Sequence, residues 1–219
     1  MSAPTAGGPT QSPRRTYDSS KRQAAAHARR ERVLDVASRR FVEEGWSRTS
    51  VAAVAAEAGV SPELVSRAFG DKAALLMAAF RRTSFGALPD LQAAFGALRL
   101  GDEPDLGVRL DRFVEFACNA FEAMTPLVPA LHRAADQDES ARRLVERARE
   151  RRRGTSAELV ALLSPPGAVV RPGAADVVYV ITSGETYLQF MGEVGWTRED
   201  FAPWLRQALQ DAVCGAMGS

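Results

Sequence analysis

Residues 49–76, TSVAAVAAEAGVSPELVSRAFGDKAALL, constrain the fold more than any other stretch of this chain. Two short apolar segments, 50–58 and 62–68, are separated by Gly59-Val60-Ser61. Gly59 supplies the positive φ that a sharp three-residue turn needs. Ser61 is a preferred helix N-cap, and Pro62 sits at the first helical position, where its missing N–H costs nothing. Ala55 and Ala56 are small enough for the second helix to cross closely. Val51, Val54, Val60, Leu64 and Phe69 are expected to form the shared core. The pattern predicts a helix-turn-helix whose second helix can lie in the major groove, its N-terminal residues against base edges.

The neighbouring residues extend this unit. A helix is expected over 22–44, with Ala26, Arg30, Val33, Leu34, Ala37 and Phe41 at helical spacing, an apolar stripe in its second half, and Gly45 ending it. Thr49 or Ser50 caps the next helix. Another starts near Lys72, after Gly70-Asp71. Beyond residue 85 helices are expected over 105–124, 139–163, 174–192 and 198–214, with a bend at Pro126 and Pro129 and a stop at Ser164-Pro165-Pro166-Gly167. Residues 1–20, rich in Pro, Gly, Ser and Thr, read as a disordered arm. The chain is therefore expected to be all-α. It divides into the arm (1–20), a three-helix helix-turn-helix DNA-binding domain (21–82) and a larger C-terminal helical domain (83–219), to which the resemblance given below assigns ligand binding and dimerisation.

Charge agrees with this division. The net charge is +1, yet residues 1–82 carry fourteen Lys+Arg against eight Asp+Glu. A basic N-terminal third on a near-neutral chain points to a polyanion partner for that third. Runs such as Val177–Ile181 are too short to span a bilayer. The first twenty residues have no secretory h-region. Cys118 and Cys214 form no metal-type pair, and a reducing cytoplasm is the natural compartment. No Ser/His/Asp, Cys/His, paired-carboxylate or metal-spaced cluster is apparent, so neither an enzyme nor a bound metal or cofactor is expected.

The segment ARRERVLDVASRRFVEEGWSRTSVAAVAAEAGVSPELVSRAFGDKAALLMAAF resembles the DNA-binding head of the tetracycline-repressor (TetR) family. The matching residues are Val33-Leu34, Ala37, Phe41, Gly45-Trp46, Thr49-Ser50, Ala58-Gly59-Val60-Ser61, Phe69, Lys72 and Leu75-Leu76. Residues 182–209 resemble the last two helices of many members more weakly. The sequence departs at Ser66, where the family usually has Tyr, and at Ala68, where His or Tyr is frequent. Both family residues typically touch DNA, so the base preference of relatives does not transfer.

The resemblance implies a homodimer that binds a palindromic operator in double-stranded DNA and is released by a small-molecule effector. The alternative is a DNA-binding regulator with no small-molecule ligand, controlled by a protein partner. In the head, Arg48, Thr49 and Lys72 are expected on phosphates, because helix N-termini favour anions. Ser61, Pro62, Glu63, Ser66 and Arg67 are the candidates on the recognition helix. Arg67 can pair bidentately with guanine. Glu63 can accept from cytosine or simply stabilise the helix N-terminus. A ligand pocket is expected to use Phe113, Phe116, Asn119, Met124, His132 and Tyr179, with Phe85, Leu91, Phe95, Phe121, Leu131, Glu185 and Thr186 near it. The dimer is expected to use the stripes Val177, Ile181, Gly184, Leu188, Met191 and Phe201, Trp204, Leu205, Ala208, Leu209, Ala212, Val213. The basic run Arg147–Arg153 reads as a solvated face paired with Glu146 and Glu150.

Overall fold

The computed structural model describes residues 19–165 and 167–214, and among them it is helical with no strand. The expected arm lies outside the described residues, apart from Ser19 and Ser20, which begin the first helix. The helices are α1 (Ser19–Glu43), α2 (Gly45–Arg48), α3 (Val51–Ala58), α4 (Pro62–Phe69), α5 (Lys72–Phe85) and α6 (Leu91–Ala97). They continue with α7 (Leu106–Met124), α8 (Val128–Gln137), α9 (Glu139–Leu163), α10 (Ala174–Ile181), α11 (Gly184–Gln189) and α12 (Arg198–Cys214).

Side-chain caps set most of these starts. Ser50, Ser61, Asp71, Asp90, Asp105, Asp138 and Ser183 each accept a hydrogen bond from the backbone N–H three residues on. Each satisfies a donor that a helix terminus would otherwise leave unpaired. Gly59 ends α3 in the left-handed region at φ 67°, as the turn requires.

Two apolar cores result. The first gathers Val33, Ala37 and Phe41 of α1, Val54 and Ala58 of α3, Val65 of α4 and Leu75, Leu76 and Ala79 of α5. It continues without a break into Leu127, Leu131 and Ala134 around α8. The second joins Leu110, Phe113 and Phe121 of α7, Leu159 and Leu163 of α9, Val178 of α10 and Phe201, Leu205 and Leu209 of α12. Residue 82, the expected domain boundary, lies inside α5.

Several expectations change. Leu64 is 40% exposed while Val65 is fully buried, because one residue turns the helix by about 100° and Val65 takes the inward position. The first half of α1 is exposed on every side, Ala26 included, and its apolar stripe begins at Val33, in the second half as expected. The helix expected over 174–192 breaks at Thr182-Ser183, where Ser183 is extended and caps α11. It then widens into a π-turn over Phe190–Val194. Phe201, Leu205, Leu209, Ala212 and Val213 face the chain's own core rather than an open stripe. Gly184 permits close approach inside the chain: a Cβ there would lie 2.8 Å from the Met124 terminal methyl.

Candidate nucleic-acid interface and adjoining cavity

The recognition helix α4 is held by one buried residue and a stacked cation. Val65 enters the core. Arg30 of α1 places its guanidinium 4.3 Å from the Phe69 ring centroid and donates to the Ala68 carbonyl at 3.2 Å. A cation at the last carbonyls of a helix opposes the dipole there. Ser61, Pro62, Glu63, Leu64, Ser66, Arg67 and Ala68 are all left exposed. The structure thus gathers the expected base-facing residues on one short, solvent-facing helix. It adds Leu64, expected in the shared core; an exposed apolar side chain here suits a thymine methyl. Glu63 has its carboxyl held below the usual range by its own backbone N–H, then by the Ser61 hydroxyl. That arrangement matches the helix-stabilising role.

The other expected contacts divide. Arg48 is exposed at the end of α2, its Nε donating to the Glu44 carbonyl at 3.1 Å. Lys72, at the first turn of α5, rests its ammonium 4.0 Å above the Trp46 ring. Burial lowers its pKa, and the nearby Asp138 charge opposes that shift. Thr49 lies differently from the surface position assigned to it. It is 1% exposed, and its hydroxyl donates inward to the Gly45 carbonyl at 2.9 Å, with the Arg40 carbonyl at 3.2 Å. The N-cap beside it is Ser50, whose hydroxyl accepts from Ala53 at 3.1 Å. Glu57 of α3 is clasped by Arg39 and by Arg40, the latter at 2.9 Å, which fixes α3 against α1.

A cavity of 170 Å³ lies between α5, α6, α7, α8, α9 and the start of α11. Phe113, Phe116, Met124 and His132 line it as expected, with Phe85, Leu91, Phe95, Phe121, Leu131 and Glu185. Three expected residues are elsewhere. Asn119 lies on the outer side of α7, accepting from Arg198 at 2.7 Å and donating to Glu115 at 3.2 Å. Its position on α7 turns it away from the Phe113–Phe121 face. Tyr179 packs beneath Arg152 and Arg153. Thr186 spends its hydroxyl on the Val180 carbonyl at 2.7 Å. The basic run is only partly solvated: Arg149 and Arg152 line the cavity. Arg149 approaches Glu185 at 3.8 Å instead of a partner on its own helix, and His132 Nε2 lies 3.6 Å from the same carboxylate. Period-3.6 reasoning along α9 could not reveal this, because the partners come from α8 and α11.

One helix belongs to both regions. Asp71 caps α5 directly after α4, while Met77, Phe80 and Phe85 further along α5 form a wall of the cavity. Two polar contacts tie the head to the α8–α9 corner. Ser140 donates to Asp71 Oδ2 at 2.8 Å, and Ser47 donates to Gln137 Oε1 at 3.0 Å. Sequence spacing gave no sign of either pair, since their members are 69 and 90 residues apart.

Residues 33–79 match the family model described as bacterial regulatory proteins, tetR family. The fold also matches the crystal structure of a protein assigned as a TetR-family transcriptional regulator from Rhodococcus sp. That match has a TM-score of 0.54 and 20% identity, and covers 85% of this chain and 99% of the other. No curated protein matches the sequence. No helix among the described residues is long and apolar enough to cross a membrane, and no metal-type cluster occurs among them.

Proposed function

We propose that this chain, a TetR-family DNA-binding transcriptional regulator, works as a homodimeric repressor that binds a palindromic operator and is released by a small-molecule effector. The observation that carries the reading is α5. Its first turn adjoins the recognition helix, and its later residues wall an aromatic cavity. A ligand that alters the tilt of α5 necessarily alters the setting of α4. Such a ligand releases DNA only if it favours the non-binding geometry, so its differential affinity sets the response.

On DNA, Arg48 and Lys72 would meet phosphates, joined by the backbone N–H groups at the start of α3 beside Thr49 and Ser50. The ammonium of Lys72 has lost water to Trp46, and a phosphate would replace that solvation. Ser61, Pro62, Leu64, Ser66 and Arg67 would face the groove, with Arg67 the sharpest reader of a base. The loss of the family's usual aromatic at Ser66 and of His or Tyr at Ala68 predicts an operator unlike those of relatives.

For the dimer, α10, α11 and the π-turn supply the apolar surface. Val177, Val180, Leu188 and Val194 are between 37% and 60% exposed. Two copies burying such a face against each other would set the spacing of two recognition helices to successive turns of the duplex.

The test is an in vitro selection of bound DNA from a random pool, repeated with a library of candidate small molecules. A two-fold symmetric motif, lost on adding a compound that binds the protein, is expected. A non-palindromic motif would overturn the dimeric operator, and control by a protein alone would overturn the effector.

A further inference from the structure

The basic run of α9 contains one arginine unlike its neighbours. Arg151 and Arg153 are exposed, whereas Arg152 is half-buried. The Arg152 guanidinium stacks on the Tyr179 ring at 3.8 Å. Its Nη1 donates to the Tyr179 carbonyl at 2.6 Å, with the Thr182 carbonyl at 3.4 Å. These carbonyls end α10, where a cation is favoured. Among the described residues the hydrogen bonds of Arg152 run through Nη1 alone, which leaves Nε and Nη2 as fixed donors.

Arg152 also stands where two spaces meet. It lines the 170 Å³ aromatic cavity and an adjoining 430 Å³ chamber between α5, α6 and α9. The carboxylates nearby are already answered. Glu185 faces His132 and Arg149, Glu158 accepts from Gln92 at 3.3 Å, and Asp90 accepts from the Ala93 N–H at 2.9 Å. Arg152 touches no carboxylate among the described ion pairs.

We propose that this space takes an amphiphilic carboxylate. The carboxylate would dock on Nε and Nη2 of Arg152, a two-point, charge-assisted pairing that a guanidinium is shaped for. The apolar body would lie among Phe113, Phe116 and Phe121. An apolar cavity of about 150 Å³ takes one benzene ring, so the inner compartment accepts one ring or a short alkyl chain. A cationic amphiphile would instead meet an unpaired guanidinium. The regulatory meaning of this site rests on the effector reading above; the binding itself does not.

The experiment is calorimetry on the full chain with 4-phenylbutyrate, 4-phenylbutan-1-ol and 4-phenylbutylamine. The acid is expected to bind about tenfold tighter than the alcohol or better, the worth of a charge-assisted pair, with the amine weakest. Arg152→Gln should erase the advantage and Arg152→Lys should keep part of it. Equal binding of acid and alcohol, preference for the amine, no binding of any of the three, or an acid preference unchanged in R152Q would each overturn the proposal. The acid–alcohol comparison uses the unmodified chain, so poor folding of a variant does not shield it. Acid binding that leaves DNA affinity untouched would support the site and remove the effector reading. DNA release by another compound, without acid binding, would do the reverse.

Discussion

Replacing Asp71 by alanine should separate two jobs that a single carboxylate performs. Oδ1 accepts from the Ala74 N–H at 2.7 Å and caps α5, while Oδ2 accepts from Ser140 of α9 at 2.8 Å. Losing an Asp N-cap costs about 1 kcal/mol. A hydrogen bond to a charged group is worth about 1.5–3 kcal/mol when shielded, and the exposure of the Ser140 bond reduces that to about 0.5–1 kcal/mol. D71A should therefore destabilise by about 1.5–2 kcal/mol, and S140A by about 0.5–1 kcal/mol. The double variant should cost little more than D71A alone, because the pair can be lost only once. Urea unfolding of the four proteins, followed by helix signal, gives the coupling directly. D71N, whose Oδ1 still caps while its Nδ2 would donate to the Ser140 hydroxyl instead of accepting from it, should lie between wild type and D71A. Additivity of D71A and S140A within about 0.3 kcal/mol would refute the reasoning, because it would mean that Asp71 caps α5 and nothing more.

Four further outcomes follow. V65A should destabilise by about 2 kcal/mol in the same assay, since the side chain is fully buried, whereas L64A should stay within about 0.5 kcal/mol. Under the proposed function, Arg67→Ala should relax preference at one base pair by about 1–3 kcal/mol in a binding-site selection, and an unchanged motif would remove its base-reading role. Arg40 and then Arg39 hold the Glu57 carboxyl below the usual glutamate range, so its contribution is present above that range and is lost as pH falls through the lowered value. Thermal melts from pH 6 to 3 should accordingly show a shallower acid loss in Glu57→Gln than in wild type. Burial pushes the Cys118 thiol up to about 11, so at pH 8 a thiol reagent should label the half-exposed Cys214 first and reach Cys118 only on unfolding.

The head was legible because its signals are local. Gly59, Ser61, Pro62 and Asp71 fix turns and caps within a few residues of themselves, and the structure uses each that way. Leu64 and Val65 show the limit of that reading: adjacent apolar residues compete for one inward position, and only packing against α3 and α5 decides. Thr49 shows another. Its hydroxyl was free in sequence terms, but the turn after α2 brings two carbonyls within reach. The cavity was half legible. Aromatic spacing on α7 located Phe113 and Phe116, but the polar wall depends on α8, α9 and α11 meeting, which no single-helix periodicity records. Ser183-Gly184-Glu185 is a local capping signal inside the long helix expected there, and Ser183, accepting from the Thr186 N–H, breaks it despite the apolar run around it.

The unbroken packing along α5 also bears on how such a chain can be rebuilt. Ala73, Leu75, Leu76 and Ala79 of α5 share one apolar cluster with α1 and with Leu127, Leu131 and Ala134 around α8. A chimaera joined at residue 82 would therefore cut through a core, not through a tether, and would pair half of one jigsaw with half of another. Exchange of DNA specificity is better attempted within α3 and α4 alone, where Ala52, Ala56, Leu64, Ser66 and Arg67 face outward and nothing behind them must be recast.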